Sequence, residues 1–311
     1  VQQITLGIGE GFVVLGAQYW GQGRMQPIRK LTGIALKLGL ICGIITILIC
    51  TFIPHLVISI FTNDPEIIAE GVAYLGIIKY TFLLFIITNV LMAALRCVET
   101  VKISFYISIV SLIVNVGINY VLIFGKLGLP ALGITGAAVA TLLSRVVEFV
   151  VAFSYAFRCR TMPLMKHAIL RPGMDMLRKF LRYSAPVLIN ETLWGTGFSM
   201  ITVIMGHMAN SSDLIAAYTL AGNIDKLMTS GVFGIAAAVS VIVGKEIGTG
   251  NLKGVYNIGR ALCFTAFAFG IVLGLTEYTM FVTLMRPFVM PLFSLSAVAE
   301  RLCSVMLMCY A

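Results

Sequence analysis

The 311-residue chain is 59% hydrophobic and only 11% charged, with a mean hydropathy of +1.00. Soluble domains carry about 25% charged residues, so this composition excludes one and predicts an all-α, polytopic membrane helix bundle. The net charge of +9 would suit a nucleic-acid binder, but the placement of the basic residues along the chain excludes that partner.

A bilayer core takes about 20 apolar residues per helix. In chain order the candidate spans are 1–20, 31–60, 66–95, 103–124, 133–157, 184–208, 214–243 and 258–285. A ninth begins near Ser296 and reaches Ala311, about 24 Å of helix against a core of about 30 Å. The chain is therefore expected to hold about eight and a half helices of a longer protein. Taking alternate loops from the Gly21–Lys30 turn, one side holds fifteen basic residues, among them Arg24, Arg96, Lys102, Arg182, Lys245 and Lys253. The other side holds only Lys126 and Arg286. That asymmetry makes the first side cytoplasmic.

Gly7-Ile8, Val14, Gly21 and Gly23 recur as Gly234-Ile235, Val241, Gly248 and Gly250 at a constant offset of 227. After a three-residue slip, Ala69-Glu70 and Tyr80 match Ala299-Glu300 and Tyr310. Both Gly-x-Gly turns fall on the basic side, so the copies are parallel repeats about an axis along the membrane normal. The second copy is preceded by a span, 184–208, with no counterpart before Val1, which predicts a missing first helix. The expected organisation is an N-terminal lobe over 1–158, a cytoplasmic basic linker over 159–182 and a C-terminal lobe over 183–311. Within the linker, Pro172-Gly173 breaks the chain and 175–182 reads as a short amphipathic surface helix. Asp64-Pro65-Glu66 reads as a helix start: a cap, a proline in the first turn, and an acid at the positive end. The small residues of Gly133–Thr141 suit close helix packing in lipid.

No enzyme motif is present: no His-Glu-x-x-His, no Walker loop and no Gly-x-Ser-x-Gly. Gly7-x-Gly9-x-Gly11 lies inside a span with no preceding strand, which argues against a nucleotide fingerprint. The seven cysteines show no metal-type spacing and read as small hydrophobes in helix packing. His55, His167 and His207 read as interfacial.

Polar residues inside spans carry the functional information, because each is costly in hydrocarbon and faces an interior. They are Glu10, Gln18, Lys79, Asn89, Asn115, Asn119, Arg145, Glu148, Asn190, Glu191, Asn223 and Asp225. Asn115 and Asn119 share one helix face. Arg145 and Glu148, three apart, serve equally well as a structural pair or in transport. Glu191 has no basic neighbour on its helix, and lone intramembrane carboxylates are proton or cation sites. Pro186, Gly195 and Gly197 soften the helix around Asn190-Glu191. Asp225 suits an interfacial role or a coupling role equally.

The segment Asn115-Val-Gly-Ile-Asn119-Tyr-Val-Leu-Ile-Phe-Gly125, followed by Gly128-Leu-Pro-Ala-Leu-Gly133 and on to Thr141 and Arg145, resembles the fifth and sixth helices of the multidrug and toxic compound extrusion (MATE) family. Ala17-Gln18-Tyr-Trp-Gly21-Gln-Gly23 is similar to the end of its second helix, and Asp64-Pro65-Glu66 to the start of its fourth. The resemblance implies a twelve-helix fold in two pseudo-symmetric six-helix lobes. It also implies antiport, with Na⁺ or H⁺ entry driving export of organic, often cationic, compounds. Members with a first-lobe cation site use a first-helix Asp, an Asn and an Asp four apart on the fifth helix, and a sixth-helix Thr. Asn115 and Thr141 match two of these, and Asn119 stands where the second Asp would be. Glu191 is the nearest match to the Glu that other members carry on the seventh helix.

The resulting expectation is a cation-coupled multidrug antiporter of the bacterial plasma membrane, monomeric, with small organic substrates, no cofactor beyond the coupling ion, and no enzymatic activity. Its ion-coupling and cavity residues would be Glu191, Asn190, Asn115, Asn119, Thr141, Asp225 and Gln18, with a possible Na⁺ at Asn115, Asn119 and Thr141. One alternative is a lipid-linked sugar or peptidoglycan-precursor flippase of related architecture, which would carry several basic residues in its cavity, where only Lys79 and Arg145 are candidates here. A membrane-embedded enzyme is a remoter alternative.

Overall fold

In the computed structural model, residues 2–126, 128, 130–158, 173–208, 211–280, 283 and 297–310 are described. The described residues are almost wholly helical. The helices are α1 (Gln2–Gly21), α2 (Met25–Phe52), α3 (Pro54–Ser59), α4 (Pro65–Cys97), α5 (Val101–Phe124) and α6 (Gly133–Arg158). They continue as α7 (Met174–Gly206), α8 (Ser211–Thr249), α9 (Leu252–Met280) and α10 (Ala297–Tyr310). Seven are long and apolar enough to cross a membrane: α2, α4, α5, α6, α7, the Thr229–Thr249 part of α8, and Lys253–Met280 of α9. α1 is not among these seven, and half of its residues are fully buried.

Three boundaries depart from expectation. The span expected at 31–60 is two helices, because Pro54 lacks the N–H that α2 would need to continue, and α3 starts at that proline. The amphipathic segment 175–182 is no separate helix but the first turns of α7, which runs unbroken through Pro186. The span expected at 214–243 is a 39-residue helix, α8. The linker segment 159–172, with Cys159, Arg160, Pro163, Lys166, His167, Arg171 and Pro172, lies outside the described residues, as does Arg286. The Asp64 start is as expected: its Oδ1 accepts from the Glu66 N–H at 2.9 Å, with Pro65 as the first helical residue.

Two compact units divide the chain: Val1–Gly197 with Gly244–Asn251, and Phe198–Val243 with Leu252–Ala311. In the first, α4 is central and packs on α1, α2, α3 and α6, while α5 packs on α6. Its interior is built from Ile8, Phe12, Ile28, Leu31, Ile34, Ile86, Leu91 and Leu95, all fully buried. The outer faces of α2 and α5 carry exposed Ile44, Ile45, Leu48, Phe105, Leu112, Ile113 and Val116, an apolar surface far too extensive for water and suited to lipid. The second unit has an interior formed by Ala217, Ala221 and Ile224 of α8 against Ala299, Cys303 and Leu307 of α10.

Within the first unit, the repeated glycines meet each other. A side chain at Gly21 would fall on the Lys245 carbonyl and 3.1 Å from Gly248 Cα, and one at Gly248 would fall on the Gln18 carbonyl. A side chain at Gly244 would lie 2.7 Å from Ala17 Cβ. At the 227 offset Ala17 corresponds to Gly244, Gln18 to Lys245 and Gly21 to Gly248. Each contact is therefore with its own equivalent or is returned by the equivalent pair, as about a two-fold axis. The two helix ends run parallel, and both close on a glycine. Gly23 and Gly250 take positive φ, 69° and 81°, and donate back to the carbonyls of the equivalent Trp20 and Ile247 at 2.9 and 3.1 Å.

Candidate functional site

The polar residues of the first unit gather in two places. The first lies along α1. Successive pairs, Gln3 with Gly195, Gly7 with Leu188, and Gly11 with Ser184, show α1 and α7 running antiparallel in backbone contact. Gly7 and Gly11 form a small-xxx-small stripe, which is why the glycine run exists with no nucleotide to hold. Gln3 sits in the notch left by Gly195, and its Nε2 donates to Glu191 Oε2 at 3.3 Å. Glu191 is half-buried. Among the described residues no basic group reaches it: the neighbouring carboxylate Glu10 is taken by Arg96 at 2.9 Å. On the α4 side, Asn89 Nδ2 donates to the Thr5 carbonyl at 2.8 Å, in space opened by Gly9. Asn190, adjacent to Glu191, is exposed and so points elsewhere.

The second gathering is a ladder between α5 and α6. Ser111 donates to Glu148 Oε2 at 3.2 Å, and Asn115 Nδ2 donates to Ser144 Oγ at 3.1 Å. One turn further on, Asn119 Nδ2 donates to Asn115 Oδ1 at 3.0 Å. The ladder closes because Gly136 lets α6 approach the Leu122 carbonyl of α5 to 2.8 Å from a would-be side chain. Thr141 joins only by its backbone: its carbonyl accepts from Ser144 at 2.9 Å, while its hydroxyl donates to Ala137 O in its own helix. The buried Glu148 also receives Arg145 Nη1 at 2.6 Å, and the guanidinium lies 4.7 Å from the Phe85 ring centre. The pairing that spacing left open is thus made.

The fit of Na⁺ to this ladder can be tested on its donors. Asn119 Oδ1 is buried with no hydrogen-bond partner, so one oxygen is available. Every other available oxygen is neutral, and the one carboxylate, Glu148, is already neutralised by Arg145. Na⁺ favours anionic oxygen, so these residues do not make a Na⁺ site by themselves.

Gln18 joins neither gathering. It lies about 22 Å of helix rise from Gln3, where its carbonyl abuts Gly248. Asp225 belongs to the second unit, half-buried on α8. Sequence reading missed Gln3, Ser111 and Ser144 as partners, although Ser111-Asn115-Asn119 has the four-residue period that signals one face. It also missed Glu277, a carboxylate in the last described turn of α9 that is 6% exposed. The other basic span residue, Lys79, is engaged by Thr51 Oγ1 at 3.0 Å and by the Tyr80 ring.

At the helix ends, Lys245 Nζ donates to Glu99 Oε1 at 2.6 Å. That hydrogen bond, with a smaller one from Trp20, holds the Glu99 carboxyl below its ordinary value against an opposing effect of burial.

A family model described as MatE matches residues 1–121 and 186–311. The probable multidrug resistance protein NorM of Thermotoga maritima is 27% identical over 276 residues, covering 88% of this chain and 59% of its own length. The probable multidrug resistance protein YoeA of Bacillus subtilis is 27% identical over 262 residues, covering 82% and 56%. A solved structure described as the outward-facing conformation of a multidrug resistance MATE family transporter of the MOP superfamily is similar at a TM-score of 0.81 and 19% identity. That likeness is one of fold, over 99% of this chain and 66% of the other. The chain spans less than two thirds of the length of each of these proteins.

Proposed function

The chain belongs to the MatE family, and on that premise we propose that it is the greater part of a cation-coupled antiporter. The antiporter exports organic, often cationic, compounds across the bacterial plasma membrane in exchange for Na⁺ or H⁺. Residues 1–158 and 183–311 contribute its two lobes. The observation that carries this reading is Glu191: a half-buried carboxylate in mid-α7, met by the neutral amide of Gln3 and by no cation among the described residues. A carboxylate so placed takes up a coupling ion or proton when one arrives, whereas Glu148 is already neutralised and cannot. Coupling is therefore assigned to Glu191, and the Asn115–Asn119–Ser144 ladder to holding α5 on α6. The flippase alternative is weakened because Arg145 and Lys79 are both engaged locally.

The test uses full-length protein in proteoliposomes under an imposed ion gradient. Glu191→Gln keeps the hydrogen bond from Gln3 and removes the charge. It should insert and purify normally yet lose ion-driven efflux of a fluorescent organic cation at least tenfold. Undiminished efflux would remove Glu191 from the mechanism.

A further inference from the structure

Glu191 and Gln3 sit in reciprocal notches. The Glu191 stem crosses α1 at Gly7, where a side chain would lie 3.3 Å from Glu191 Cβ. The Gln3 stem crosses α7 at Gly195, where a side chain would lie 2.6 Å from Gln3 Cγ and 2.9 Å from its Cβ. Each helix thus gives up a side chain to seat one residue of the other. The result is the hydrogen bond from Gln3 Nε2 to Glu191 Oε2, 3.3 Å long, between residues 188 positions apart.

The chemistry of that partner sets Glu191 apart. In the same unit, Glu10 is held by Arg96 at 2.9 Å and Glu148 by Arg145 at 2.6 Å. A fixed cation neutralises its carboxylate and leaves no charge for an arriving ion. The Gln3 amide carries no charge, yet its N–H stabilises an ionised carboxylate. That hydrogen bond is charge-assisted while Glu191 is ionised and becomes an ordinary neutral one after protonation, roughly half as strong. The amide therefore favours the empty carboxylate without neutralising it.

Few other groups act on Glu191. α7 has no other titratable side chain between Tyr183 and His207. On α1 the titratable residues are Glu10, already paired with Arg96, and Tyr19 near the cytoplasmic end. α4, packed on α1, has no charged residue between Lys79 and Arg96, and α2 has none beyond Lys37. Asn89 of α4 is committed to the Thr5 carbonyl at 2.8 Å.

We propose that Gln3 is the positioning residue of Glu191, its amide standing in for the coupling ion while the carboxylate is empty. The notch at Gly195 holds it there, and the stronger hydrogen bond of the empty state promotes ion release. The inference rests on the reading of Glu191 as the coupling carboxylate, and the two are separated by measuring proton binding apart from efflux.

The probe is the proton, followed as the protonated-carboxyl infrared band of the full-length protein in nanodiscs during a pH titration. The component absent from Glu191→Gln belongs to Glu191. Gln3→Met keeps the length of the side chain and removes the amide. It should raise the midpoint by about one pH unit, a roughly tenfold gain in proton affinity. Gly195→Ala alters neither polar group but puts a methyl against Gln3 Cγ, and should shift the midpoint the same way. The double variant should move it no further than Gln3→Met alone. Packing by itself would leave the midpoint in place. An unmoved or lowered midpoint in either single variant, or full additivity in the double, overturns the proposal. Normal efflux in Glu191→Gln with a shifted midpoint in Gln3→Met would sink the coupling reading and leave the positioning of Glu191 by Gln3 standing. Lost efflux in Glu191→Gln with an unmoved midpoint in Gln3→Met would do the reverse.

Discussion

The α1–α7 contact gives a quantitative expectation. A methyl at Gly11 would lie 2.6 Å from Ser184 Cβ, 2.7 Å from its Oγ and 3.1 Å from its Cα, whereas a methyl at Gly7 would find its neighbours at 3.1 to 3.3 Å. Carbon atoms pack best at about 3.5 to 4.0 Å. Gly11→Ala therefore forces the helices apart by about 1 Å, and Gly7→Ala by only a few tenths. Overpacking of the first kind costs about 1–3 kcal/mol. Each substitution also gains about 0.8–1 kcal/mol of helix propensity. The net expectation is a loss of up to about 2 kcal/mol for Gly11→Ala and, for Gly7→Ala, near-neutrality or a slight gain. Ser184 is fully buried, and its hydroxyl has no partner, so the clash is with a dispensable side chain. Ser184→Gly should rescue Gly11→Ala by clearing both the Cβ and the Oγ. Ser184→Ala should not, because the Cβ remains. Equilibrium unfolding in bicelles by steric trapping, on the four single variants and two doubles, reads these differences directly. Equal losses at Gly7 and Gly11, or rescue by Ser184→Ala as well as by Ser184→Gly, would refute the packing argument.

Two further expectations follow. Asn119→Asp places a charge where the buried Oδ1 now lacks a donor. It should increase the Na⁺ dependence of transport severalfold in the full-length protein, measured as efflux rate against Na⁺ concentration; an unchanged dependence would exclude the ladder from ion binding. For Glu99, the folded carboxyl is held below its unfolded value by Lys245. The stability this contributes is present above the ordinary carboxylate value of about 4.3 and is lost as pH falls through the lower folded value. Both partners are well exposed, so the effect is small, about 0.2–1 kcal/mol. An acid titration of the distance between spin labels at the exposed positions Gln22 and Thr249 should show the contact loosening in the wild type, and no such transition in Glu99→Gln.

The helices were legible because a membrane span is read from length and apolarity, and the parallel repeat because its glycines recur at one offset. The breaks at Ile53-Pro54 and the fusion of 175–182 into α7 were less so. Pro54 lies in an apolar run whose composition continues past it, and Pro172-Gly173 ends one segment without limiting the next. Of the polar residues, the α5–α6 ladder was half visible: Asn115 and Asn119 announce a face, but only the folded pair of helices brings Ser144 opposite. Gln3 was invisible as the partner of Glu191, since nothing local links residues 188 positions apart. Glu277 carried the same signal as Glu191, a lone carboxylate in an apolar span, and could have been found by the same rule.

The contact of Ala17 with Gly244 has a consequence for descent. A residue on a two-fold axis touches only itself, so in a symmetric pair of identical half-proteins any enlargement there is met by an equal one from across the axis. Such a position admits almost nothing above hydrogen or methyl. Once the halves are joined in one gene, each side mutates alone, and a small gain on one can be offset by a loss on the other. Alanine facing glycine is that division of a single narrow space into unequal shares, a trace of fusion kept in the packing.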